Sequence, residues 1–78
     1  PATRNGTIAI RWKNPVENNF QFEISNSIGQ IVQTGTIQTS KSTRQSVINL
    51  NLRSAGIYFI HLMSSTGTNK QVFKLVVQ

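Results

Sequence analysis

The sequence predicts an antiparallel β-sandwich of six or seven short strands, and three observations carry that expectation. Apolar residues recur with period two along nearly the whole chain and with the helical period nowhere. Turn-forming residues interrupt the alternation roughly every 8–12 residues, the rhythm of a sandwich rather than of an α/β unit. Helix formers are scarce, with three Ala and two Glu, and β-branched residues fill the apolar positions.

Taken in order, "TIAIRW" places Ile8, Ile10 and Trp12 on one face, and "FQFEIS" does the same with Phe20, Phe22 and Ile24 while Arg11, Gln21 and Glu23 point the other way. Between them "KNPVENN" holds Pro15 and three Asn, a cluster through which a strand does not continue. "NSIG" follows, with Asn26 and Gly29 expected to take positive φ in a tight reversal into "QIVQTGTI". That makes a hairpin, and a break at Gly35 would supply the seventh strand. The Ser/Thr-rich "QTGTIQTSKST" reads as a mobile edge or loop.

Ile48, Leu50 and Leu52 alternate in "RQSVINLNL", "RSAG" turns the chain into "IYFIHLM", and "SSTGTN" reverses it into "QVFKLVV". The expected core is Ile8, Ile10, Trp12, Phe22, Ile24, Val32, Ile48, Leu50, Tyr58, Ile60, Leu62, Phe73, Leu75 and Val77. The last strand is the delicate one, because a slip of one residue would turn Val72 and Val76 inward in place of Phe73, Leu75 and Val77.

Seventy-eight residues support a single domain, 1–78, whose one core buries roughly 60% of the surface that the unfolded chain exposes. Without cysteine the sheets are held by packing, with no disulfide or thiolate metal site. Asn, Gln, Ser and Thr make up 31 of the 78 residues, Asp is absent, and eight Lys and Arg face only Glu17 and Glu23, so the net charge of +6 arises from omission of acid. The cations (Arg4, Arg11, Lys13, Lys41, Arg44, Arg53, Lys70 and Lys74) are scattered without a block, as on a solvated surface. Such a diffuse field also steers anionic partners such as lipopolysaccharide or nucleic acid. The apolar runs fall far short of the ~20 residues that span a bilayer, and with Pro1 as the first residue no basic-plus-apolar leader is expected. The chain therefore reads as one domain cut from a longer, soluble or exported polypeptide, and its end just after "KLVV" suggests a module that works at a C-terminus.

Catalytic chemistry has little to build on. Glu17 sits on a loop and Glu23 on the outward face of a strand, so the two carboxylates do not converge for acid–base hydrolysis. His61 is the only histidine, opposite in face to Tyr58, Ile60 and Leu62, and with no Cys or Asp it has no triad or metal-ligand set to join. The five glycines stand alone in separate turns rather than in a phosphate loop. The expectation is a non-enzyme with no cofactor and no metal. Trp12, Tyr58 and Phe59, with Arg11 or Lys13 beside them, would make a stacking platform if exposed together, but Trp12 and Tyr58 are in register with core aliphatics. The same alternation argues against a nucleic-acid partner. "NGT" at Asn5 is a glycosylation tripeptide of a kind that arises by chance.

Read in order, "PATRNGTIAI", "FEISNSIGQIV", "INLNLRSAGIYFIHL" and "KQVFKLVVQ" resemble the C-terminal sorting domain of cargo exported by the type IX secretion system of Bacteroidetes. That family runs from a "PNPA" opening motif through "sIyDxxGxxV" and "LxxGxYxVxI" to a terminal "KxlVxx". The resemblance covers the whole chain, with Pro1–Ala2 as the remainder of the opening motif; Asn26 stands where the family usually has an acid, and Ala55 where it often has Pro or Thr.

The resemblance implies an all-β, immunoglobulin-like antiparallel β-sandwich of six or seven short strands that acts as a secretion address. It implies transit through the periplasm, recognition by the outer-membrane translocon and passage of a folded upstream cargo domain. It further implies that a surface sortase usually removes the domain and attaches the cargo to anionic lipopolysaccharide, leaving it on the cell surface or secreted. It assigns translocon recognition to Gly56, Tyr58, Lys74, Leu75, Val76, Val77 and Gln78. A second resemblance, of "TIAIRWKNP" and "GIYFIHLMSSTGTN" to the Trp- and Tyr-bearing strands of fibronectin type III modules, implies instead an adhesive or carbohydrate-binding sandwich. Such a module needs a further strand before Pro1.

Overall fold

The computed structural model describes residues 3–13, 18–65, 67 and 70–78. Six strands form, β1 (Thr7–Arg11), β2 (Asn18–Asn26), β3 (Ile31–Thr39), β4 (Gln45–Asn49), β5 (Gly56–Ser64) and β6 (Lys70–Val77). All pairings are antiparallel. β1 and β4 make a two-stranded sheet, and the other four make a sheet in the order β3-β2-β5-β6. The expected "KNPVENN" and "SSTGTN" turns and the Pro1–Ala2 remnant lie wholly or partly outside the described residues.

The apolar faces of the two sheets close on one core. Phe20, Phe22, Ile24, Ile37, Tyr58, Ile60, Leu62 and Val77 come from the four-stranded sheet, and Ile48, Leu50 and Leu52 from β4 and the segment after it. Ile8, Ile10, Trp12 and Leu75 pack against this cluster partly buried. Ile24, in the middle of β2 with a strand on either side, is fully enclosed. Burying each such side chain is worth about 1.5–3 kcal/mol, which is how a chain without cross-links holds together. Beyond the regular part of β4, the Leu50 and Leu52 N–H groups donate to the carbonyls of Gly6 and Arg4, so the period-two pattern of "INLNL" continues to bury every second residue.

Four expectations need correction. β3 runs unbroken through Gly35, so that glycine lies within a strand and not in a turn, and of the two expected strand numbers the described residues show six. Gly35 is needed for space: a Cβ there would lie 2.5 Å from the Phe22 ring, which covers it from the neighbouring strand. Val32 is 43% exposed because Ile24 pairs with Gln33 while Ser25 pairs with Ile31; Val32 is the extra residue of a β-bulge and leaves the core. Phe73 has the expected inward parity, opposite Ile60, but is 40% exposed because the two-stranded sheet does not extend over that part of β6.

The fourth correction concerns the β2–β3 turn. Gly29 takes φ +89°, as expected, but no described non-glycine residue has positive φ, so Asn26 organises the turn by hydrogen bonding instead. Its Oδ1 accepts from the N–H groups of Ile28 (3.1 Å) and Gln30 (2.9 Å), and its Nδ2 donates to Gln30 Oε1 at 2.9 Å. The Ser/Thr-rich stretch is an edge, as expected, since β3 borders its sheet. Its exit turn is stitched by Ser40 and Thr43, each donating a backbone N–H to the other residue.

Candidate functional site

The sequence-predicted site residues come from two stretches about twenty residues apart, and the β5–β6 pairing brings them to one end of the sheet. Gly56 lies opposite Val77, Ile57 opposite Val76, Tyr58 opposite Leu75 and Phe59 opposite Lys74. Gln78 follows directly, exposed. The pleat then divides them. Tyr58 and Val77 are buried and Leu75 half-buried on the core face, while Lys74 and Val76 are exposed on the outer face.

Two features hold this end in shape. Gly56 opens β5 with φ +153°, a value that L side chains rarely adopt, although nothing lies within 4 Å of where a Cβ would be. The constraint is therefore in the backbone and not in the space. Two residues on, the Tyr58 hydroxyl donates to the Ser54 carbonyl at 2.7 Å and lies 3.2 Å from Ser54 Oγ. A buried phenol needs such a partner, and this one ties the start of β5 to the turn before it, in the manner of the tyrosine corner of immunoglobulin-like sandwiches. The "GIY" of the sequence is thus a unit in which glycine turns the chain and tyrosine anchors it.

The outer face of β5 and β6 adds Ile57 and Met63, which sequence reasoning did not single out, to residues that it did. Ile57, Phe59 and Met63 of β5 stand beside Val76, Lys74 and Lys70 of β6, with His61 opposite Val72. Ile57, Val72 and Val76 are exposed, and Phe59 and Met63 are half-buried. The signal was present in "QVFKLVV", which has apolar residues at both parities and so cannot bury them all on one face.

On the same face a shallow open depression is lined by Glu23, Ser25, Gly29, Ile31 and His61. Ser25 Oγ lies 3.3 Å from His61 Nε2, and Glu23 is the cross-strand neighbour of His61. Glu23 makes no hydrogen bond to the imidazole, so no carboxylate orients it and the three do not form a nucleophile–base–orienter set. Among the described residues no three His, Cys, Asp or Glu side chains cluster as metal ligands do.

Nor does the structure assemble a stacking platform. Trp12 is half-buried, its ring centroid 4.9 Å from that of Phe20 and its indole N–H donating to Ser46 Oγ at 2.9 Å. Tyr58 faces the core and Phe59 the opposite side of the sheet. All eight cations are exposed and none pairs with the one described carboxylate, Glu23.

Neither the curated proteins nor the solved structures provide a match to this chain. The family model of the secretion system C-terminal sorting domain matches residues 1–78. That is a family of type IX sorting signals and not of enzymes, and its members are marked for export toward the cell surface or the medium. A six-stranded antiparallel sandwich, a glycine–tyrosine anchor opening β5 and a match along its entire length together place this chain: it belongs to the family of secretion system C-terminal sorting domains.

Proposed function

We propose that the domain is the folded address of a longer exported protein and that it is read at the end of the sheet where β5 begins and β6 finishes. Gly56, Tyr58, Lys74, Leu75, Val76, Val77 and Gln78 are the recognition residues, in two roles. Gly56, Tyr58, Leu75 and Val77 hold the end in shape from the core side, and Lys74, Val76 and Gln78 present it to the outer-membrane translocon. The cargo passes from the periplasm with its own fold intact, and a surface sortase then removes the domain and attaches the cargo to anionic lipopolysaccharide. The observation that carries this reading is the register Gly56↔Val77 to Phe59↔Lys74, which brings both motif halves of a sorting-domain sequence to one edge of the molecule.

The test is a fusion. An inert folded reporter with a periplasmic signal, followed by residues 1–78, is expected at the surface or in the medium of a type IX-competent host and in the periplasm of a host lacking the translocon. Removing the terminal "KLVVQ" deletes Leu75 and Val77 from the sheet, and Gly56→Val imposes a β-branched residue on φ +153°; both are expected to abolish export. A reporter that stays periplasmic with the intact domain, or equal export with and without "KLVVQ", overturns the proposal.

A further inference from the structure

The two outer edges of the four-stranded sheet are treated differently. At the β3 edge the polar groups are dealt with locally. β3 is bent by its bulge at Val32, its outward positions are largely Thr and Gln, and Gln33 reaches the end of β4 and the chain just after it. There its Nε2 donates to the Asn49 carbonyl at 2.8 Å, and its Oε1 accepts from the Asn51 N–H at 2.9 Å. Bulges and polar side chains are the usual means of keeping an edge from pairing with another chain. The β6 edge has no bulge: its eight residues hold no Pro and no Gly and stay in unbroken register with β5 from Lys70 to Val77, so that Lys70, Gln71 and Lys74 are the only polar side chains that mark it.

β6 also has the side chains of an interior strand. Val72 (59% exposed) and Val76 (47%) are uncovered on the outer face, and Phe73 is uncovered on the inner face. Strands with apolar residues on both faces are ordinarily covered on both and paired on both sides. A strand added along β6 would satisfy its outward N–H and C=O groups and give all three side chains cross-strand neighbours. The charges say what kind of strand fits. Lys70 and Lys74, both exposed, stand on the outer face of β6, and the nearest described carboxylate, Glu23, is two strands away on β2.

We propose that β6 is the docking edge for an extended segment of another protein in which apolar residues alternate with carboxylates, the segment joining the sheet as a fifth strand. Main-chain hydrogen bonds supply the binding, and two carboxylates spaced to meet Lys70 and Lys74 supply the choice of partner. A second copy of this chain fits poorly. Antiparallel pairing of β6 with itself sets four lysines on one continuous face, between molecules that each carry a net +6. This inference rests on the sorting reading only for the partner's place in the export machinery.

The experiment titrates the isotope-labelled 78-residue chain with a capped ten-residue peptide that alternates Val and Thr and carries two Glu four residues apart. The same peptide with Lys in place of Glu serves as comparison. The expected result is slowed amide exchange and shift changes along residues 70–77 and not along β3, with the Glu peptide binding about tenfold tighter than the Lys peptide. The double variant Lys70→Glu with Lys74→Glu changes only exposed side chains and is expected to invert that order. Equal binding of the two peptides, protection mapping to β3, or no protection of β6 overturns the proposal. So does concentration-dependent dimerisation through β6, which makes a second copy the occupant, or binding to anionic vesicles in place of the Glu peptide. If the fusion is exported while β6 takes no peptide, the sorting reading stands and this one does not. Protection of β6 in a domain that exports nothing has the opposite meaning.

Discussion

Glycines at two positions of this fold serve different purposes, and substitution separates them. Gly56 holds a backbone angle in open space, whereas Gly35 leaves room for the Phe22 ring in an ordinary strand conformation. Alanine at Gly56 is expected to cost about 1–3 kcal/mol from backbone strain, and no change in a neighbouring side chain should recover it. Alanine at Gly35 costs a similar amount, about 1–3 kcal/mol by overpacking, and trimming Phe22 to Leu in the same chain should recover part of that loss. A double-mutant cycle by urea unfolding checks both: coupling between positions 22 and 35 and none between 22 and 56. Asn26 shows the same economy in another form, one side chain accepting two backbone N–H groups and donating to Gln30. An Asp at such a position keeps the acceptor and loses the donor.

At the scale of the element, β5 and β6 form a matched pair whose members sit in different surroundings. β5 has a strand on each side and β6 on one. Ile60 and Phe73 face each other across the ladder, yet Ile60 is buried and Phe73 is not. Ile60→Ala is therefore expected to destabilise the domain by about 2–5 kcal/mol, a large part of the total for a chain of this size. Phe73→Ala removes a larger side chain and should cost only about 1 kcal/mol, because much of its surface already meets water. Midpoints of urea unfolding at unchanged slope measure the difference. A Phe73→Ala cost equal to that of Ile60→Ala would mean that β6 is covered on its inner face.

For the molecule as a whole, the net charge of +6 arises from eight Lys and Arg side chains that all reach solvent. Exposed charges without close partners contribute little to stability, and salt screens what they do contribute. Replacing Lys41 and Arg44, in and after the turn between β3 and β4, by Gln is expected to move stability by less than about 0.5 kcal/mol. Export of a fused reporter should likewise be unchanged, unlike the effect expected from the lysines of β6. A large loss of export on neutralising Lys41 and Arg44 would show that the diffuse field itself is read.

The alternation in "TIAIRW", "FQFEIS", "INLNL" and "IYFI" determined on its own that this chain forms strands, and it named the inward residues, because a strand's side-chain period is a local property of the backbone. The "GIY" unit is local too, but the angle of its glycine and the bond from Tyr58 to Ser54 were seen only in the structure. What the sequence could not determine depended on partners far along the chain. Only the pairing shows that Val32 is the extra residue of a bulge, since a bulge exists relative to the opposite strand. Only the number of strands in each sheet shows that Phe73 is uncovered: two strands do not shield the inner face of four, so a residue with core parity lies beyond the core. The candidate site divides along the same line. Its residues were legible as motifs, but which hold the shape and which face outward was decided by the register of β5 on β6 and by β6 lying at an edge, properties of the assembled sheet.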